Sequence, residues 1–190
     1  MTHNIFHGEK VRLRAIEPRD WEAFHAFDQD TELARHSYAI PFPRSSEEAR
    51  RWAEEKAAAK PANDEFFWVI ENDEGEVVGS INSHHCDRRN GTFQYGITIG
   101  RRHWRKGYAS EAIILLLRFF FWERRYQKVN ASIFAFNERS LRLHEKLGFQ
   151  QEGRLRRMIF TNGAYHDEVV VGMTAEEFEA SRGGSSPCST

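Results

Sequence analysis

Gly100 to Ser110 reads GRRHWRKGYAS: the end of a strand, a basic loop with a single glycine after it, and the start of a helix. The strand before it, Thr92 to Ile99, is rich in β-branched and aromatic residues, and the helix after it is expected over Gly107 to Arg124. Backbone N–H groups in the first turn of a helix have no partner inside the helix and carry partial positive charge. An anion placed there takes several of those bonds at once, and a glycine lets the backbone approach it. Arg101, Arg102, Arg105 and Lys106 add charge suited to a polyanionic ligand. A solvated basic loop is the ordinary alternative, and from this stretch alone both readings stand. The GxxxxGKS/T spacing of a P-loop is missing, and one glycine does not make a dinucleotide fingerprint.

The elements on either side alternate. Val11 to Ala15 reads as a strand and Pro18 to Asp28 as a helix with proline near its start. Ser45 to Glu48 fits a capping box ahead of a helix over Glu47 to Ala59. Phe66 to Glu71 and Val77 to Ser83 are strands around a turn at Asn72 to Gly75, and Asp87 to Gly91 is a second turn. Beyond the long helix come a strand over Val129 to Ala135 and a helix over Ser140 to Leu147. A hairpin of Phe149 to Phe160 and Glu168 to Met173 follows, around Asn162-Gly163. Two antiparallel hairpins flanking one strand–helix–strand unit make a mixed α/β sheet with helices on it. Residues 8–179 read as one domain, and the Gly/Ser/Pro-rich stretch over 180–190 as a disordered tail.

Composition narrows the function classes. The 190 residues carry 27 Lys and Arg against 28 Asp and Glu, for a net charge of −1. That balance gives no reason to expect nucleic acid or an anionic membrane as a partner. Two cysteines, Cys86 and Cys188, cannot make a disulfide framework. No apolar run approaches the roughly 20 residues a membrane span needs, and no signal-peptide pattern opens the chain, so a cytoplasmic protein is expected.

A second segment decides between the two readings of the loop. Asn137 to Phe149 reads NERSLRLHEKLGF, some 30 residues after RKGYASEA at Arg105 to Ala112. Together these motifs resemble the GNAT superfamily of N-acetyltransferases. VRLRAIEPRD at Val11 to Asp20, FQYGITIG at Phe93 to Gly100 and FTNGAYHDEVVVGM at Phe160 to Met173 are similar to one branch of it, that of the ribosomal-protein and spermidine acetyltransferases.

The resemblance implies a mostly antiparallel sheet of about seven strands with about four helices on it. Its fourth and fifth strands, Thr92 to Ile99 and Val129 to Ala135, would splay apart and take acetyl-CoA in the V. Main-chain groups of Ile97 and Ile99 would bond the pantetheine arm, with Gly96 at a bulge. The pyrophosphate would rest on the amides of Trp104, Arg105, Lys106, Gly107, Tyr108 and Ala109, with Ser110 next. Trp104 stands where the family carries Gln or Arg. Asn137 matches the residue that bonds pantetheine, and Ser140 begins the next helix; the alternative for both is helix capping alone. No metal is implied.

Acetyl transfer to an amine has three needs: removal of the amine's proton, donors for the developing oxyanion, and a proton for the departing thiolate. By resemblance the oxyanion donor is the N–H around Ile97, and His144 stands where the family's acid, a tyrosine, usually lies. Imidazole can do that task; the alternative is a ring that packs beside Leu141 and Leu147 on an amphipathic helix. Gln94 occupies the place of a glutamate base, and an amide cannot accept the proton. His85 or His84, at the end of the preceding strand, is the candidate replacement, whereas Cys86 beside them reads as packing. Freeing a lysine-like amine at pH 7 costs about 4.6 kcal/mol and an α-amine about 1.4 kcal/mol. Weak base provision therefore favours α-amines or amino sugars.

The helices over Pro18 to Asp28 and Glu47 to Ala59, with the loop His36 to Arg44 between them, are expected to wall the acceptor site. Tyr165, His166 and Asp167 would close its other side. Asp28, Asp30 and Glu32 either attract a polyamine or are ordinary helix-end charges. The expected activity is direct acetyl transfer from acetyl-CoA to a protein N-terminus, a polyamine or another small amine. An acetyl-CoA-binding sensor with little catalysis is the alternative. Partners are acetyl-CoA and the amine, with neither nucleic acid nor membrane, and homodimerisation is left open.

Overall fold

The computed structural model describes residues 4–37 and 40–182, and most of the expected tail lies outside them. Within them the chain forms two compact units. The first spans residues 4–84 and Tyr95–Phe119. It holds β1 (Val11–Ala15), α1 (Trp21–Asp28, entered through a 3-10 turn at Pro18–Asp20), α2 (Thr31–Ser37), α3 (Ser46–Ala58) and β2 (Phe67–Asn72). Most of β3 (Val77–Asp87) and β4 (Thr92–Ile99), and all of α4 (Tyr108–Arg118), complete it. The second unit, His85–Gln94 with residues 120–182, holds β5 (Lys128–Phe134), α5 (Glu138–Leu147), β6 (Gln150–Thr161), β7 (Ala164–Thr174) and α6 (Ala175–Ser181).

The sheet has seven strands in the order β1-β2-β3-β4-β5-β7-β6. β1–β2, β2–β3, β5–β7 and β6–β7 pair antiparallel and β4 pairs parallel with β5, so the sheet is mostly antiparallel, as the GNAT resemblance implies. The parallel ladder has three pairs, Thr92 with Lys128, Phe93 with Val129 and Gln94 with Asn130. Both strands continue past its last pair.

Six α-helices are described rather than about four. The extra ones are short: α2, whose Leu33 N–H bonds the Asp30 carboxylate, and α6, which starts in a capping box between Thr174 and Glu177. Ala180 and Ser181 therefore belong to a helix or its end, not to a tail. The long helix expected over Gly107 to Arg124 stops as an α-helix at Arg118, and Phe119–Glu123 widens into a π-turn. No described helix is long and apolar enough to cross a membrane.

Apolar alternation explains the packing of the first unit. Val69 of β2 is buried with Ile16, Phe24 and Ala53, and Trp21, Phe27, Trp52 and Phe67 pack around them. Phe24, Trp52 and Phe67 meet edge to face at 5.3 to 5.8 Å between ring centres. Phe24, the buried one of the three, contributes roughly 1.5–3 kcal/mol by leaving water. At the edge of this core Arg14 is held between the buried carboxylates of Asp20 and Glu71. In the second unit Phe93 of β4 stacks on Phe120 at 4.1 Å and meets Tyr126 edge-on, while Phe178 of α6 packs on Phe121.

Candidate functional site

The loop ahead of α4 is built to leave amides open. Gly107 sits at φ +88°, in the left-handed region that favours glycine, and is the residue preceding the first turn of α4. Helices α3, α5 and α6 begin with a side chain, Ser45, Asn137 or Thr174, accepting a first-turn N–H. No side chain caps α4. Among the described residues, the amides of Tyr108, Ala109 and Ser110 donate no hydrogen bond, while that of Glu111 closes the first turn on Gly107. An uncapped helix start beside a glycine is the local geometry that accepts a pyrophosphate.

The cations expected around the loop divide. Arg101 is tied to Asp30, and Arg102 donates Nε–H to Nε2 of His103 at 2.8 Å. Arg105, at φ +64°, has no partner among the described residues, and the Lys106 ammonium lies 5.9 Å from the Tyr108 ring centre. Trp104 donates its indole N–H to the Ile99 carbonyl at 2.7 Å, which gives the departure from Gln or Arg a role in fixing the loop. That bond occupies one lone pair of a carbonyl expected to face pantetheine and leaves it a second.

Three residues of this region carry no signal in the sequence. Lys10 brings its ammonium within 3.4 Å of the Lys106 carbonyl, adding a cation beside Gly107. Glu111 of α4 accepts the backbone N–H groups of Glu9, Lys10 and Val11 at 2.7 to 2.8 Å, so the helix start and the start of β1 are bound together. His103 is 3% exposed, and its Nδ1 has no partner. Because Nε2 accepts from Arg102, Nδ1 carries the proton. Burial, then the Arg102 charge, hold its pKa below the usual histidine value.

Ile97 and Ile99 lie on the part of β4 beyond the parallel ladder. Gly96 before them is not in the left-handed region. A Cβ there would stand 2.9 Å from the amide oxygen of Asn82 of β3, which would have to shift.

In the second unit Asn137 accepts the Ser140 N–H at 3.2 Å, so the capping reading of this pair is realised. His144 is 2% exposed, its ring edge-on to Phe149 at 5.0 Å. Its Nδ1 stands 2.8 Å from the Ser140 carbonyl, which can only accept, so Nδ1 carries the proton of the neutral ring and Nε2 presents a lone pair. Burial pushes its pKa down, only partly opposed by that bond. Burial therefore favours the neutral ring, in which Nδ1 holds the proton.

Gln94 is half-buried at the last rung of the ladder, opposite Asn130, and its amide has no partner among the described residues. A carboxylate is close by in the same unit. Glu152, at an irregularity in β6, reaches over Gly172 of β7, whose Cβ would stand 2.5 Å from the carboxyl carbon. It accepts the Asn130 side-chain amide at 2.7 Å and pairs with Lys128. In sequence Glu152 is one charged residue among many in a hairpin; only the register at Gly172 brings it to the row of Gln94 and Asn130.

His85 is exposed with φ +48°, whereas His84 is half-buried and lines a cavity of 390 Å³ in the first unit. Cys86 is half-buried. Tyr165 is exposed, His166 packs on Phe136 at 4.9 Å, and Asp167 pairs with Arg154, which lowers its pKa. Asp28 pairs with Arg44, Asp30 with Arg101, and Glu32 lies 3.4 Å from His36. Tyr38 and Ala39 of the expected acceptor loop lie outside the described residues.

Comparison with known proteins shows the family. A family model described as an acetyltransferase (GNAT) domain matches residues 10–150. An uncharacterized N-acetyltransferase derived from the SPbeta prophage of Bacillus subtilis strain 168 is 46% identical over 183 residues, 96% of this chain and 100% of that protein. A putative acetyltransferase from T. thermophilus superposes with a TM-score of 0.77 at 30% identity, covering 93% of this chain and 92% of that one. The spermidine N-acetyltransferase of Vibrio cholerae, solved with CoA and spermine, shares the fold with a TM-score of 0.79 at 22% identity over 90% of this chain and 99% of that one. This chain belongs to the GNAT family of acetyltransferases, enzymes that use acetyl-CoA.

Proposed function

We propose that the protein transfers acetyl directly from acetyl-CoA to an amine of low pKa, and that its coenzyme is held first by the start of α4. The observation that carries this reading is the uncapped first turn of α4 behind a left-handed glycine, with Lys10 and Arg105 beside it. The amides of Tyr108, Ala109 and Ser110, with those of Trp104, Arg105, Lys106 and Gly107, hold the pyrophosphate. Main-chain groups of Ile97 and Ile99 hold the pantetheine arm, Asn137 and Ser140 serve the same arm, and the Ile97 N–H faces the developing oxyanion. When bound, acetyl-CoA supplies the acetyl group as a thioester.

The amine's proton passes through intervening water to Glu152, whose carboxylate the Asn130 amide holds in place. A carboxylate is a modest base, so amines near pKa 8 suit it better than those near 10.4. His84, on the cavity wall, is the second candidate, and exposed His85 the third. We assign His144, whose Nδ1 is engaged by the Ser140 carbonyl, to packing rather than to protonation of the thiolate. With a thiol pKa near 8.5 the thiolate leaves well enough to take a proton from solvent.

Spermine occupies the Vibrio cholerae relative, but a polycation finds little welcome among the acids here. Asp28, Asp30 and Glu32 are each engaged by a side chain of their own unit. Release of free thiol from acetyl-CoA, followed over α-amines, amino sugars, lysine-like amines and spermidine, tests the reading. Turnover of α-amines with KM below that for spermidine supports it, and acetyl-CoA binding with no turnover of any amine overturns it.

A further inference from the structure

The cavity of the first unit carries two lysines that have no carboxylate partner among the described residues. It opens where α3 ends and the strands β2 and β3 meet it, and its walls include Lys56, Lys60, Glu65, Phe66, Asn82 and His84. Its 390 Å³ suits an amino-acid-sized to dipeptide-sized guest, at the small end of ligand pockets. Asn82 pairs across the ladder with Phe67, whose side chain joins the core beneath α1 and α3, so Asn82 and the cavity lie on that face of the sheet. The same Asn82 amide oxygen overhangs Gly96, one residue before Ile97. The cavity therefore adjoins the stretch of β4 to which the oxyanion donor is assigned. Ser83 braces its rim, accepting the Phe66 N–H at 3.0 Å and donating to the Asp64 carbonyl at 2.8 Å.

Neither Lys56 nor Lys60 has a carboxylate partner among the described residues, and both are exposed at the cavity mouth. Lys56 complements the partial negative charge of the C-terminal turn of α3, but Lys60 lies beyond the helix and has no such role. Glu65 is the one carboxylate in the lining, so the side chains leave a net positive wall. Asp28 and Asp30, which would attract a polycation, are paired with arginines of this unit, while the cations at the cavity have no carboxylate partner among the described residues.

Resting on the acetyltransferase reading, we infer that this cavity admits the acceptor, and that the acceptor is a small amine bearing an anionic group, a carboxylate or a phosphate, set against Lys56 and Lys60. The amine end points past Asn82 toward Ile97, and the anion stays at the mouth. Two ammonium groups about 6 Å from the anion in a water-like dielectric favour it by about threefold each and about tenfold together.

The test is a series of amines matched in length and ending in a methyl, a carboxylate or a phosphate, with spermidine alongside. It is run on the wild type, on Lys56→Gln/Lys60→Gln and on Lys56→Glu/Lys60→Glu. The wild type should show kcat/KM about tenfold higher for one of the two anionic amines than for the methyl-ended amine, and higher still relative to spermidine. The glutamine pair should erase that preference through KM, and the glutamate pair should invert it. Acetyl-CoA affinity, read by calorimetry, should be equal in all three proteins. The carboxylate and phosphate arms identify which anion is recognised. A preference for spermidine in the wild type, or an anion preference that survives both double variants, overturns the inference. If no amine is turned over although acetyl-CoA binds, the acetyltransferase reading has failed. The inference is then decided by titrating the same amines into CoA-saturated protein, where equal affinity in wild type and glutamate variant refutes it.

Discussion

His144 separates a structural from a catalytic reading most cleanly, because replacing it by phenylalanine removes chemistry while keeping volume. His144→Phe keeps the edge-on contact with Phe149 and loses the Nδ1–H bond to Ser140. Losing that bond costs about 0.5–1.5 kcal/mol of stability. His144→Ala also empties a ring-sized space in a site 2% exposed, for a loss of about 3–5 kcal/mol. If the ring only packs, kcat for His144→Phe stays within about threefold of wild type. A general acid would be missed by about 100-fold, close to 2.7 kcal/mol on the barrier. The pH dependence adds a second readout. Burial lowers the folded pKa of His144, so between that value and the unfolded one near 6.5 the unfolded chain binds more protons. The stabilisation from keeping the ring neutral is present above about pH 6.5 and is lost as pH falls below it. His103 is shifted the same way, so the loss should be shallower in His144→Phe, not absent. Urea titrations at pH 7.5 and 5.5, with thiol release at pH 7.5, measure both. A 100-fold fall in kcat with stability preserved refutes the packing role.

Other expectations follow from the same geometry. Glu152→Gln should lower kcat/KM for α-amines by at least tenfold near pH 7 and move the pH–rate profile toward the amine's own pKa; an unchanged profile removes Glu152 as the base. Gln94→Glu should raise the rate on lysine-like amines more than on α-amines, and equal effects on both would show that the position does not face the acceptor. Glu111→Ala strips three backbone amides of a carboxylate, two of them exposed, and should cost about 2–3 kcal/mol in chemical denaturation. It should also weaken acetyl-CoA binding by releasing Lys10. Unaltered stability would mean that water replaces the carboxylate without loss.

Local pattern was enough for much of the fold. The spans of β1 and β4 coincide with their apolar alternation, and the loop–helix junction after Ile99 is where its glycine and basic residues put it. Pattern failed where tertiary packing set the outcome. The run Phe119 to Glu123 reads as more helix, yet burial of Phe120 and Phe121 beneath Phe93 and Phe178 widens it into a π-turn. Helix α6 had a legible start in Thr174 and Glu177, obscured by the polar composition just beyond it. In the site, Gly107 and Asn137 were readable because backbone conformation and capping are local. The bond from Glu111 to residues about a hundred positions earlier was not, nor was the approach of Glu152 to Asn130, because both depend on strand register. His144 shows a third limit: spacing locates a side chain, but burial and the hydrogen-bond partner decide its protonation.

Calorimetry of acetyl-CoA with Gly107→Val tests most directly whether the open amides behind Gly107 hold the coenzyme. Valine is strained at φ +88°, and its Cβ would stand 3.2 Å from the Lys10 ammonium, where that flexible chain can yield. The left-handed conformation costs a non-glycine residue about 1–2 kcal/mol, and more for a β-branched one. The chain should fold with somewhat lower stability, and branched methyls beside the amides should keep the pyrophosphate away. A folded Gly107→Val protein should therefore show no measurable acetyl-CoA binding. Wild-type affinity in that variant would show that the pyrophosphate is bound elsewhere.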